Sequence, residues 1–245
     1  CKAYSIFDSL VTPIALYCCE LWSPYIIKKA NKGSAEDLLG NYGDFPPERL
    51  NQRINRMILS VHKKASSLAI LGETGRFPLL VNALIPTIKY EWHLQKKSQG
   101  DTLVGLTYLE MNQYCTDNKD CWLSRVNQIK SCLNINIPHY YKTPRANSYV
   151  KRQVKNVFQM NWLNSIRQIR LNNEGRDQNK LRLYKTFKGS FSEEPYLSLV
   201  PNRNQRAALT RLRVSAHHLQ IEVGRYTIPP TPLNSRFCKY CLTEP

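Results

Sequence analysis

Cys238 and Cys241, two cysteines separated by two residues, have the spacing best suited to chemistry in this 245-residue chain. Two thiolates so placed can grip one side of a tetrahedral zinc ion, and a structural site needs four ligands. The chain ends four residues after Cys241, so the site is expected to be incomplete. Ligands beyond Pro245 could finish it, or one of His217 and His218 folded back across a proline-rich turn. Adjacent helical histidines point in different directions, so at most one is a natural ligand. The plain alternative is a reduced dithiol, with the histidines packing or hydrogen bonding.

Other reactive constellations are sparse. Polymerase chemistry needs paired aspartates around two divalent ions, and the sequence has no adjacent Asp-Asp pair. Asp117 and Asp120 come nearest, and their spacing before a helical stretch fits capping. Glu193 and Glu194 read as solvated loop residues. Phosphate-binding glycine loops and a nucleophile elbow are missing from the sequence. Catalysis carried by this chain is not expected.

Charge is the second signal. Thirty-five Lys and Arg against 18 Asp and Glu give a net charge of +17. Residues 1–150 carry 18 basic and 12 acidic groups, whereas residues 151–245 carry 17 and 6. Such an excess suits a polyanion, because each neutralised phosphate releases counterions. Arg53, Arg56, Lys63, Lys64 and Arg76 are candidate phosphate contacts in the first part. Lys151, Arg152, Lys155, Arg167 and Arg170 line a later helix, followed by Lys180, Arg182, Lys185 and Lys188. Tyr184 and Phe187 lie among them and could stack on unpaired bases. The competing reading makes these aromatics core and the charges a solvated face.

The periodicity predicts a mainly α fold that positions these groups. Helices are expected over 5–22, 48–64, 67–72, 78–97, 101–114, 119–133, 147–171 and 203–222. Leu50, Ile54, Met57, Ile58 and Val61 should form the buried face of the second. Leu80, Leu84, Ile88 and Trp92 should do so in the fourth, where Pro86 should introduce a kink. Val150, Val154, Val157, Phe158, Ile166 and Ile169 mark the stripe of the long basic helix. Pro138 and Pro144 suggest a linker at 135–146 between a helical bundle, 1–134, and a basic helical region, 147–245. No run of about 18 apolar residues is available to span a bilayer. Eight cysteines are too sparse for a disulfide scaffold. Cys18, Cys19, Cys115, Cys121 and Cys132 are expected as packing thiols in a reducing, intracellular compartment, nuclear or cytoplasmic. The start at Cys1 rather than Met suggests a piece of a longer product.

Three segments carry a family resemblance. LVTPIALYCCELW (10–22), the GETGRFPL core (72–79) between two helices, and LRVSAHHLQIEVGRYTIPP (212–230) leading to Arg236, Cys238 and Cys241 occur in this order. Together they resemble the C-terminal region of non-LTR (LINE-type) retrotransposon reverse transcriptases, beyond the catalytic palm. The resemblance implies a thumb-like bundle that grips an RNA and DNA template–primer, then a basic segment with a partial zinc knuckle. It implies that the RNA-directed DNA polymerase centre, with its Mg, belongs to a palm outside this chain, as does any endonuclease region. Of the knuckle, Cys238 and Cys241 alone carry over. Gly72, Glu73, Gly75, Arg76 and Pro78 match the family core. Physically they suggest a helix–helix corner in which Gly75 takes a positive φ and Arg76 pairs with Glu73 or a phosphate.

Overall fold

A computed structural model describes residues 2–26, 39, 45–98, 100, 102–117, 120–168, 179, 181–224 and 227–237. The chain is mainly helical, as expected. Among the described residues no β-strand forms beyond an isolated antiparallel bridge between Thr74 and Glu193. The helices are α1 (Lys2–Ile6), α2 (Thr12–Ala15), α3 (Cys19–Ile26), α4 (Pro46–Leu59), α5 (Ser67–Thr74), α6 (Leu79–Lys97) and α7 (Leu103–Asp117). They continue with α8 (Trp122–Cys132), α9 (Thr143–Arg167), α10 (Tyr184–Phe187), α11 (Tyr196–Leu199), α12 (Arg203–Arg213) and α13 (Gln220–Val223).

The chain divides into two compact units. Unit one comprises Cys1–Asn51 and Phe77–Asn161; unit two comprises Gln52–Arg76 and Trp162–Pro245. These cuts fall elsewhere than at 135–146. That stretch is not a loose linker, since Ile135, Ile137 and Ala146 are buried and α9 already begins at Thr143.

Unit one is built on α6. Leu80, Leu84, Ile88 and Trp92 are all buried, as their spacing requires. Pro78, in extended conformation, stands at the N-cap, and the helix continues through Pro86. α3 packs along α6, where Ser23 Oγ and Thr87 Oγ1 share a buried hydrogen bond of 2.7 Å. The Trp122 indole of α8 donates to the Glu20 carbonyl at 2.9 Å. Val126, Ile129 and Leu133 complete the core from α8, and Val150, Val154 and Phe158 from α9.

Three sequence expectations fail here. The first helix is interrupted. A π-helical turn occupies Phe7–Val11, and Cys18 takes φ 51° before α3. A row from this segment, Ile6, Leu10, Ile14, Tyr17, Leu21 and Tyr25, stays exposed. In α4 the buried positions are Glu48, Asn51, Asn55 and Leu59, while Leu50 and Met57 are exposed. The inward face is therefore polar, one step round from the apolar stripe. Finally, Cys115 and Cys121 form a disulfide instead of serving as packing thiols. Of the free cysteines among the described residues, Cys18 is exposed, Cys132 half-buried and Cys19 buried, the last with its pKa pushed up to about 11 mainly by burial.

Unit two packs α5 against the side chains of Trp162 and Tyr184. The Trp162 indole donates to the Leu68 carbonyl at 2.8 Å, and the Tyr184 hydroxyl donates to the Ala69 carbonyl at 3.2 Å. Both rings lie over Gly72, where a Cβ would come within 2.4 Å of Trp162 Cζ2. The helix expected over 203–222 is two helices. Ser215 takes φ 51° after α12, so His217 and His218 sit in a turn, not on a helix. Among the described residues no single helix is long and apolar enough to cross a membrane.

Candidate nucleic-acid interface

In unit one, a positive cluster draws on two helices. Lys151 and Arg152 are exposed on α9, and Lys155 is half-buried one turn further on. Lys89 reaches the same place from α6. Its pKa is lowered by partial burial and then by the charge of Lys151. Lys155 is lowered by the same two causes in the same order. Like charges gathered this way raise one another's energy, and a phosphate would relieve it. Lys155 Nζ also lies 4.5 Å from the Phe77 ring centroid, within cation–π range. Lys89 was not singled out from sequence. Its one signal was a lysine directly following the buried Ile88 on the polar side of α6.

In unit two, Arg53, Lys63, Lys64 and Arg167 are exposed, while Arg76, Arg182 and Lys185 are half-buried. Arg56 is committed internally, donating to Ser67 Oγ at 2.7 Å and to Gln52 Oε1 at 3.3 Å. Lys188 corrects the sequence reading outright. It is buried, paired with the Glu194 carboxylate, and it donates to the Ser192 carbonyl at 2.7 Å. Its charge is spent inside the protein. Tyr184 is core, its phenol pushed up first by burial and then by the Glu73 charge. Phe187 stays partly exposed beneath the Arg213 guanidinium, 4.6 Å away. Arg170 and Lys180 lie outside the described residues.

The GETGRFP core acts as a structural hub. Glu73 is fully buried and accepts two hydrogen bonds from Arg213, at 2.9 and 3.0 Å. The Tyr196 hydroxyl adds a third at 2.6 Å. Arg213 also reaches Glu194 at 2.7 Å. The partner of Glu73 is thus a distant arginine rather than Arg76. Gly75 does take a positive φ, 61°, as the C-cap of α5, and a Cβ there would stand 2.4 Å from the Glu193 amide nitrogen. Glu194 is therefore joined to this hub by its carboxylate, whereas Glu193 meets it through its backbone and its side chain is exposed, as expected. In unit one, the Glu48 carboxylate accepts the Leu79 N–H at the start of α6 at 2.6 Å.

The remaining acid and sulfur candidates resolve as follows. Cys121, not an aspartate, caps α8, in a reciprocal capping arrangement with Ser124. Asp120 instead forms a two-pronged pair with Arg125, at 2.7 and 3.1 Å. Cys238 and Cys241 lie outside the described residues, and among the described residues no three His, Cys, Asp or Glu side chains gather as metal ligands. Comparison with family models, curated proteins and solved structures finds no match to this chain.

Proposed function

We propose that this chain is a nucleic-acid-binding C-terminal region of a non-LTR retrotransposon reverse transcriptase. It grips template–primer through phosphates, and the RNA-directed DNA polymerase centre with its Mg lies in the palm of the parent protein. The observation that carries this reading is the meeting of Lys89, Lys151 and Lys155, where the charge acting on Lys89 and on Lys155 is that of another lysine. The overall charge of +17 and the family resemblance support it. In the parent, Cys238 and Cys241 would contribute two of four zinc ligands. The exposed row from Ile6 to Tyr25 would pack on the palm.

The test is the triple variant Lys89→Gln/Lys151→Gln/Lys155→Gln in the full chain. Binding to an RNA–DNA template–primer is followed by anisotropy between about 50 and 200 mM salt. The variant should bind more weakly, and its log–log salt slope should flatten by about 0.9 for each phosphate left unneutralised. An unchanged slope removes the assignment. A domesticated element product working through protein contacts is the second reading, favoured by the exposed apolar row alone. Wild-type protein would then bind template–primer no better than the triple variant does.

A further inference from the structure

Unit one carries an aromatic surface that phosphate contacts alone do not use. Ile135 and Ile137 are buried, and the chain then turns at Pro138–Tyr141. The Tyr141 N–H closes that turn by donating to the Pro138 carbonyl at 3.0 Å. Its two central residues, His139 and Tyr140, are exposed, Tyr140 to 78%. The Tyr140 ring meets that of Tyr141 at 5.1 Å and 84°, and Tyr141 meets Tyr149 of α9 at 5.9 Å and 82°. An edge contact occupies at most one face of a ring, so at least one face of Tyr140 is open to solvent. The support beneath it is fixed. Lys96 Nζ of α6 donates to the Tyr141 carbonyl at 2.9 Å, and the Arg145 guanidinium lies 4.4 Å from the Tyr141 ring centroid.

Charge narrows what such a ring can take. Residues 121–173 contain no Asp or Glu, against nine Lys and Arg. Lys142, Arg145 and Arg152 are exposed beside the tyrosines. Lys142 follows Tyr141 directly, and Arg145 and Arg152 flank Tyr149 on one face of α9 at helical spacing. A quaternary ammonium group would be repelled here, and Tyr141 already has a cation over it. A flat π-face carried on an anionic backbone suits both the ring and the charges, and that is a nucleotide base on its strand.

Position narrows it further. Lys96 lies two turns beyond Lys89 on the same face of α6, about 10 Å along the axis at roughly 1.5 Å per residue. That distance spans about three stacked nucleotides at roughly 3.4 Å each. A strand whose phosphates are neutralised by Lys89, Lys151 and Lys155 therefore comes to the tyrosines within a few nucleotides. Inside a duplex the bases stack on one another, so an open ring face calls for an unpaired base.

We infer that Tyr140 is a stacking platform for an unpaired base, so that this region prefers a hybrid with a single-stranded extension to a blunt one. The inference rests on the function proposed above and adds the strand form that the surface takes.

The experiment gives the full chain two RNA–DNA hybrids, one blunt and one with a short single-stranded extension containing 2-aminopurine. Anisotropy reads affinity, and quenching of the probe reads stacking. Wild type should bind the extended hybrid about ten-fold more tightly and quench the probe. Tyr140→Ala should lose both the preference and the quenching. Its blunt-hybrid affinity and its salt slope should stay unchanged, because no charge is removed. Tyr140→Phe keeps the π-face and should behave as wild type. Equal binding of the two hybrids by wild type, or full preference in Tyr140→Ala, would overturn the platform. So would a short acidic peptide that displaces the extended hybrid more readily than an unlabelled single strand does, since the rings would then serve protein recognition. The Lys89/Lys151/Lys155 variant keeps the two proposals apart. It should weaken both hybrids alike and retain the preference for the extension. Wild-type binding no tighter than that variant's sinks the phosphate grip, whereas loss of the preference alone sinks the platform.

Discussion

Glu48 in unit one and Glu73 in unit two are both fully buried, yet they are held in different ways. Glu48 receives the Leu79 N–H and the Asn51 amide, at 2.6 and 3.1 Å, and both are neutral donors. Burial outweighs them and pushes its carboxyl up to about 7. Glu73 receives a guanidinium fork and a phenol. A buried carboxylate can be kept with neutral dipoles, but its charge is then costly near neutral pH. With an arginine fork it is integral to the packing, and loss of either partner leaves the other stranded.

That contrast is broken most directly by Glu73→Ala. Arg213 would keep Glu194 but lose its two bonds to the hub, and Tyr196 would lose its carboxylate acceptor and keep only Thr210 Oγ1. The expected cost is about 3–5 kcal/mol, the range for breaking one side of a buried pair, read from urea unfolding of the full chain. A cost below about 1 kcal/mol would mean that Glu194 takes over the guanidinium and that Glu73 is dispensable.

Glu48→Gln should act with the opposite sign. A carboxyl whose folded pKa is raised holds its proton in the native state after the unfolded chain has released it. Wild-type stability should therefore fall as pH rises from about 4.5 to about 7 and level off above. The full loss is about 3 kcal/mol at about 1.4 kcal/mol per pH unit. The Gln variant keeps an acceptor for the Leu79 N–H and carries no charge. It should lack this slope and be the more stable protein at pH 8, by up to that amount. Unfolding curves across this pH range check it, and parallel profiles for wild type and variant would refute it.

The glycines of the hub come next. Gly72→Ala would drive a methyl into the Trp162 ring and the Tyr184 hydroxyl, 2.4 and 2.5 Å from the Cβ position. Gly75→Ala would add left-handed strain to a clash with the Glu193 backbone. Each should cost about 1–3 kcal/mol in the same unfolding assay. Tolerance at both positions would show that the turn around Glu193 can move away from α5.

These outcomes bear on what the sequence could reveal. The cores of α6, α8 and α9 were legible because Leu84, Ile88, Val126, Val154 and their neighbours repeat at helical spacing and face inward. Gly75 was legible because only a special backbone position favours glycine there. The face of α4 was not. Period alone cannot show that Glu48 is recruited inward to hold the start of α6, leaving Leu50 and Met57 outside. The break after α12 was hidden because Val214 to Leu219 contains neither glycine nor proline, and the positive φ falls on a serine. Among the basic residues, composition could not separate Lys188, which neutralises Glu194, from Lys185 three positions earlier. Nor could it pair Glu73 with Arg213, since that choice is made by tertiary packing across 140 residues. Lys89 joins the candidate interface only through the fold, which brings it within reach of the Lys151 charge.

The smallest effect isolates burial from geometry. Arg125 grips Asp120 with two bonds, at 2.7 and 3.1 Å, much as Arg213 grips Glu73. The Asp120 side chain is 49% exposed, whereas that of Glu73 is 0%. Water already solvates the exposed carboxylate well, so the fork adds little beyond what solvent supplies. Arg125 also rests 4.8 Å from the Tyr25 ring centroid and keeps that ring beneath it when the acid is gone. Asp120→Asn should therefore cost about 0.5 kcal/mol, with a further decrease at high salt. A loss near that of Glu73→Ala would mean that the two-pronged geometry itself, rather than removal from water, sets the strength of both pairs.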